Sequence, residues 1–396
     1  MDSRIGIIKN YASTIQSQLI DLRRDFHAHP ELSFHEAATS LKIQAVLRQL
    51  GISFTTGWCK HGIVGEIQGE LSSNRLVALR ADMDALPIHE KNECSYKSTH
   101  EGVMHACGHD VHMTCLLGSL MILNQFKSLW GGKVKFIFQP AEEKLPGGAS
   151  ILIEEGVLNQ PMPDLIIGQH VQPGMEVGKI GIGPGAFMAS CDEIYIKIIG
   201  KGGHAAQAHL CIDPIVIAAQ LVLAFQSFMN REKPANQASV LSLGTIETNS
   251  EATNIIPDEV KLSGTFRALD ENWRWLAHKR IKEIAVSICK AFNATCEIDI
   301  QIGYPCLINH PDLTESLIQL GEEYLGDMKV ERLGARLTSE DFAYYSQVIP
   351  AVFYRLGVGQ VPGVHRADFD IDEKALEHGA GTMAYLAMSL NTNGVL

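Results

Sequence analysis

Apolar residues recur at Ile8, Tyr11, Ile15, Leu19, Leu22 and Phe26, the spacing of one helical stripe, which Pro30 stops. Ser33 followed three residues later by Glu36 has the form of a capping box. Leu41, Val46, Leu47 and Leu50 then predict a second helix that Gly51 closes. Short apolar runs at 63–67, 76–79, 134–138 and 165–167 read as strands, with a helical stretch around 116–126 among them. Strands alternating with helices predict an α/β fold with a mixed, mostly parallel sheet.

The pattern changes after Gly185. Residues 192–199 alternate as a strand, 200–203 form a turn, and Asp213 with Pro214 opens a helix at its N-cap and first positions. Runs at 239–246 and 260–266 read as strands, and Ile281, Ile284, Ile288 and Phe292 mark one face of a further helix. A run near 296–300 closes the set. The order βαββαβ is that of a ferredoxin-like α+β unit. It predicts an inserted domain over 186–300, with 1–185 and 301–396 forming one discontinuous domain around it.

A length of 396 residues exceeds what one hydrophobic core usually supports, in agreement with two domains. The net charge of −12 argues against a nucleic acid or an anionic membrane as partner. No apolar run reaches the roughly 18–20 residues of a membrane span. The first residues show no charged-then-apolar leader, so a cytoplasmic protein is expected. Nine cysteines lie without framework spacing, and Cys115, Cys211 and Cys289 stand inside apolar stretches, which reads as buried reduced thiols.

Open α/β sheets hold ligands beyond the carboxyl ends of their strands. Arg80-Ala-Asp82-Met-Asp84 follows the 76–79 run, Gln139-Pro-Ala-Glu142-Glu143 follows 134–138, and Gly168-Gln-His170 follows 165–167. Between the first two lies His105-Ala-Cys107-Gly-His109-Asp110, at the start of a helix. Each piece alone has an ordinary structural reading: a satisfied core histidine, a small residue at a helix start, a capping Asp, a solvated Glu pair. Together, with Pro140 before the Glu pair and Gly147-Gly148 after it, they point to a shaped metal-binding edge. A thiolate, imidazoles and carboxylates suit zinc, manganese, cobalt or nickel better than calcium or magnesium. In extended chain Glu142 and Glu143 would point opposite ways, one to metal and one to water.

The segments 80–87, Met104-His-Ala-Cys-Gly-His-Asp110, Gln139-Pro-Ala-Glu-Glu143 and Ser339-Glu-Asp-Phe342 resemble the M20 metallopeptidase family. Arg23-Arg-Asp-Phe-His27-Ala-His-Pro-Glu31 and Gly200-Lys-Gly-Gly-His204 extend the resemblance nearly end to end. Within the family it is to the branch of N-acyl-amino-acid amidohydrolases that includes hippurate and auxin-conjugate hydrolases. The resemblance implies a phosphorylase/hydrolase-like catalytic domain carrying a lid and dimerisation domain. It implies two divalent metal ions per subunit held by Cys107, His109, Glu143, His170 and His365, zinc or manganese ahead of cobalt or nickel. Glu142 would be the general acid/base, and Asp84 would orient a metal-binding His. His204 would polarise the scissile carbonyl from the other subunit of a homodimer, and Asn254 and Arg267 would hold the substrate carboxylate. The implied reaction is cleavage of an N-acyl (acetyl, benzoyl or similar) amino acid by a metal-activated water. Two positions depart from the pattern. Many relatives carry Ser-Pro after the last His ligand, where this chain has His365-Arg366-Ala367. Many also have a glycine at the position of Thr338, ahead of Ser339. Both bear on acyl-group preference.

Three other readings compete. A metallo-carboxypeptidase or dipeptidase would use the same fold, and a catalytically silent binding protein would keep it. His27-Ala-His29 has the form of the metal motif of barrel amidohydrolases, but it ends an amphipathic helix and barrel repetition is missing. Two histidines packed under the sheet explain it better. Asp110 reads as a supporting or capping residue, and Trp273 and Trp275 as packing at a helix start.

Overall fold

A computed structural model describes residues 2–159, 161–250 and 252–393. The chain forms two units, Met1–Gly185 with Ile308–Gly334 and Tyr344–Leu396, and Ala186–Leu307 with Ala335–Ala343. The second unit thus runs past residue 300 and takes in a later segment that no change of pattern marks.

In the first unit the stripe from Ile8 to Phe26 folds as two helices, Ser3–Thr14 and Gln16–Ala28, with Ile15 between them at φ −90°, ψ 1°. Ile15 and Leu19 are both buried, so the apolar register continues across the break and conceals it. Ser33 and Glu36 do not form a capping box. The helix Ala37–Gln49 receives no cap bond from Glu36. Its free N–H groups at Ala38 and Thr39 go instead to the Glu31 carboxylate, at 3.2 and 2.8 Å.

The sheet of this unit has eight strands in the order Phe54–Trp58, Gly62–Gln68, Gly131–Gln139, Leu71–Asp82, Leu165–Gln172, Ala351–Gly357, Ile180–Ile182, Val330–Arg332. The middle four, from Gly131–Gln139 to Ala351–Gly357, are parallel to one another. Outside them the pairs are antiparallel, except that Val330–Arg332 runs parallel to Ile180–Ile182 at the edge. Helices His109–Gln125 and Ala375–Asn393 pack together and against the strand Leu71–Asp82. Every residue from His109 to Leu123 is buried. A helix enclosed on all sides has no amphipathic period, so only its Leu-rich second half stands out in the sequence. Four parallel strands bring four carboxyl ends to one edge of the sheet.

In the second unit the strands Ser239–Thr248, Glu259–Ala268, Asp192–Ile199 and Thr295–Ile302 follow one another in an antiparallel sheet. This is the strand order of a ferredoxin-like βαββαβ unit. Ile194, Ile196 and Ile198 face Leu221, Phe225 and Ile281 of the helices Pro214–Arg231 and Glu271–Ala291 in one core. Asp213 caps the first of these helices through Ile215 N at 2.9 Å, with Pro214 at its first position. Trp273 is buried and stacks on Phe228, whereas Trp275 is half exposed, and both lie inside the second helix. Among the described residues no helix is long and apolar enough to cross a membrane.

Candidate metal centre

Cys107 and His109 flank Gly108, the N-cap residue of the helix His109–Gln125. Gly108 has φ +84°, and a Cβ there would lie 2.6 Å from Val171 Cγ2. Only glycine combines that backbone with so close an approach to the strand carrying His170.

His170 donates from Nδ1 to its neighbour's carbonyl, Val171 O, at 2.8 Å. Its Nε2 keeps a lone pair, 3.4 Å from Cys107 Sγ. Burial, with Arg355 nearby, holds its pKa well below the ordinary imidazole value, so the ring is neutral as a ligand must be. His109 Nδ1 faces Asp84 Oδ1 at 3.2 Å. Its Nε2 is buried without a hydrogen-bond partner, 3.9 Å from Glu143 Oε1 and 4.0 Å from Glu142 Oε2. Glu143 Oε1 is likewise buried without a hydrogen bond, and His365 Nε2 stands 3.3 Å away. His365 follows the strand Ala351–Gly357, with φ +63° and its N–H bonded to Ala106 O at 2.7 Å.

The electrostatics call for a cation. Burial opposes charging His109, yet Asp82, Asp84 and Glu143 outweigh it and raise its pKa to about 10. Burial together with Glu143 and Glu142 pushes the Cys107 thiol well above its ordinary value. Divalent cations answer both pressures, and the donors fit them. Cys107, His109 and His170 offer ligand atoms within 4.8 Å of one another, as do Cys107, Glu143 and His365, and His109, Glu142 and Glu143. Cys107 is common to the first two groups. The trio Asp82, His109 and His112 is equally close but is no metal site. His112 Nδ1 is bonded to Asp82 Oδ1 at 2.6 Å and its Nε2 accepts Val171 N–H at 2.9 Å, so neither nitrogen is left for a metal.

A family model described as Peptidase family M20/M25/M40 matches residues 78–389. The chain belongs to this family. A protein of Saccharolobus solfataricus named thermostable carboxypeptidase 2 is 37% identical, over 97% of this chain and 98% of its own length. The N-acyl-L-amino acid amidohydrolase of Geobacillus stearothermophilus is 39% identical, over 77% of this chain and 81% of its own. The structure of the Bacillus subtilis YXEP protein, described as a dinuclear metal binding peptidase from the M20 family, matches with a TM-score of 0.85 at 32% identity. That match covers 97% of this chain and 100% of the other.

In this M20 chain Asp84 has wider contacts than orienting one His. Its carboxylate also accepts Glu142 N at 3.0 Å, Glu143 N at 2.9 Å and Ser33 Oγ at 2.6 Å. The Glu142-Glu143 pair lies in a bent turn past the strand rather than in extended chain, so backbone clamps and not strand alternation set the two directions. His204, Asn254 and Arg267 belong to the second unit. His204 is exposed in the short strand Gly203–His204, its Nδ1 accepting Ala206 N at 3.1 Å. Asn254 is its neighbour, since Ala205 N bonds Asn254 O at 2.9 Å. Arg267 lies on the strand Glu259–Ala268 and donates to Leu337 O at 3.1 Å.

Of the two histidines expected to pack under the sheet, only His27 is buried, and its partners are side chains outside the sheet. These are Asp110 Oδ2 at 2.8 Å and Glu90 Oε1 at 3.2 Å, whereas His29 is half exposed beside Asp25. Asp110 also accepts from Arg23 Nε at 2.8 Å, a buried ion pair. Ser33, Glu36 and His112 support the site and went unrecognised in the sequence, because their partners lie far along the chain.

Proposed function

We propose that this M20 protein is a metal-dependent amidohydrolase that removes the acyl group (acetyl, benzoyl or similar) from an N-acyl amino acid. The observation that carries the proposal is the convergence of His109 Nε2 and Glu143 Oε1, buried and without hydrogen bonds, on Cys107 Sγ, His170 Nε2 and His365 Nε2. We assign Cys107, His109 and His170 to one divalent ion and Cys107, Glu143 and His365 to a second, with the thiolate shared. Zinc or manganese suits this mixed set first, cobalt or nickel next. When bound, such ions acidify water and polarise a carbonyl.

The chain's own groups supply the rest. Glu142 takes the proton of the attacking water and gives it to the departing amine nitrogen, which an amide leaving group requires. Asp84 holds His109 by Nδ1, so that Nε2 is its ligating atom. His204 is assigned to the carbonyl oxygen, where negative charge develops, and Asn254 and Arg267 to the substrate carboxylate. A net charge of −12 supports a small substrate over a nucleic acid or membrane surface. Nine free thiols support a reducing compartment, the cytoplasm.

A homodimer through the second unit completes the reading. Ser239–Thr248 is an edge strand with Ile246 exposed, and Ile215, Val216, Leu223 and Ile255 of the same unit are exposed as well. Open edges and apolar patches call for a partner, and two-fold pairing is the simplest closed one.

An N-acyl amino acid and a peptide cut at its last residue share one feature, a free carboxylate on the amine side of the broken bond. The test is therefore a panel. Acetyl, benzoyl, long-chain and indole-acetyl amino acids are compared with peptides on Zn-, Mn- and Co-loaded protein, following free amine. N-acyl amino acids should be the better substrates. Turnover confined to peptides would make the protein a carboxypeptidase, and none at all would leave a binding protein.

A further inference from the structure

The turn that carries Glu142 and Glu143 hangs on three consecutive backbone N–H groups, each taken by a buried carboxylate. Ala141 N donates to Glu36 Oε1 at 2.8 Å, Glu142 N to Asp84 Oδ1 at 3.0 Å and Glu143 N to Asp84 Oδ2 at 2.9 Å. Successive N–H groups converging on negative charge form a backbone anion nest. Here the protein's own side chains fill it.

Glu36 has a particular place in this arrangement. Ala141 has φ +57° and Phe34 φ +68°, left-handed backbone that side chains with a Cβ adopt only under constraint. The same Glu36 oxygen bonds both, accepting Phe34 N at 3.0 Å. Glu36 is fully buried, and burial with Asp84 beside it raises its pKa to about 7, a penalty a mere filler would not carry. Its segment is anchored to the strand end by Ala85 N bonding Glu31 O at 2.8 Å and Ser33 Oγ bonding Asp84 Oδ2. On the other side Gly148 N bonds Ala141 O at 2.8 Å, and a Cβ on Gly148 would fall 1.8 Å from Pro140 O. The turn is clamped from both sides.

We propose that Glu36 is a positioning residue for hydrolysis. Its carboxylate holds Ala141 in the left-handed conformation, and that conformation fixes the directions in which Glu142 and Glu143 leave the backbone. If Ala141 relaxed, the next peptide plane would rotate and Glu142 N would leave Asp84. The inference rests on the roles assigned above to the two glutamates.

The test uses Glu36→Gln, Glu36→Ala and the double variant Glu36→Ala/Ala141→Gly, with two readouts. Hydrogen exchange over residues 141–143 is measured on metal-free protein, and steady-state kinetics on the loaded enzyme. Gln keeps the accepting oxygen, so kcat should stay within about threefold of the parent and exchange should stay slow. Ala should speed exchange and lower kcat by about ten- to a hundredfold at nearly constant KM, the effect of a small misplacement. Glycine at 141 accepts a positive φ without a clamp, so the double variant should recover much of the lost kcat. Parental exchange or parental kcat in Glu36→Ala overturns the proposal, as does a double variant no better than the single. If Glu36→Ala does not fold, the double variant decides: recovery supports the clamp, and failure overturns it. Glu142→Gln run alongside keeps the two readings apart. Parental turnover there removes the role of Glu142, while the exchange data still report on Glu36.

Discussion

Cys107 shows how one residue comes to serve two groups of ligands. It sits one position before a helix that starts on a left-handed glycine, in reach of His109 and His170 on one side and Glu143 and His365 on the other. Replacing it with alanine should therefore cost metal at both positions. Elemental analysis of Cys107→Ala is expected to show well under two ions per chain, whereas full occupancy at parental affinity would make the thiol a bystander. Cys107, His109, Glu143 and His170 stood out in the sequence because they lie just past a strand or at a helix start, whereas their pairing with His365 as a ligand set came from the family resemblance. Ser33 and Glu36 were misread for an equally physical reason. Their Ser-x-x-Glu spacing is that of a capping box, and a local pattern cannot disclose that their partners are Asp84 and Ala141. His112 was passed over because both its nitrogens are occupied by groups from other elements.

Among elements, the strands were read well at their apolar middles and poorly at their ends. The strand Leu71–Asp82 extends beyond its 76–79 core in both directions. The helix Ala37–Gln49 was expected with a different cap, and the helix break at Ile15 was not expected at all. Alternation in Asp192–Ile199 was clear because only one face of that sheet is covered by helices. The same strand begins with a charge network that hydropathy cannot show. Asp192 is fully buried and accepts from Arg274 Nε and His278 Nε2, each at 2.8 Å. Burial opposes its ionisation, but the bonds from Arg274 and His278 win and hold its pKa below the ordinary 3.8. Asp192→Asn removes one of the two carboxylates on the buried Arg274 guanidinium, leaving Glu271 at 3.1 Å, and should destabilise the protein by about 1.5–3 kcal/mol. A depressed carboxyl contributes stability above its unfolded pKa and loses it as pH falls through the folded value. The deficit of the variant, read from thermal or denaturant unfolding, should be full at pH 6–7 and shrink below about pH 4. A deficit independent of pH would place the role of Asp192 outside its charge.

For the whole molecule, length and the change of pattern after Gly185 indicated two units, and the segment Ala335–Ala343 shows why their borders were not readable. It is short, and it joins the second unit after the chain has returned to the first. The proposed homodimer, with His204 serving the partner's site, is tested by complementation. Glu142→Ala and His204→Ala dimers should each be nearly inactive. Unfolded, mixed and refolded, half the dimers should be hybrids with one working site of two, so activity should return to about a quarter of the parent. No recovery despite demonstrated hybrids would confine His204 to its own chain or to no role. Hydrolysis at a two-cation centre is tested most directly by titrating metal-free protein with zinc or manganese while following release of free amino acid from an N-acetyl amino acid. Activity should rise to a plateau at two ions per chain, and Glu142→Gln should bind the same two ions with turnover lowered by about a hundredfold or more. Full activity after exhaustive chelation, or parental turnover by Glu142→Gln, would contradict it.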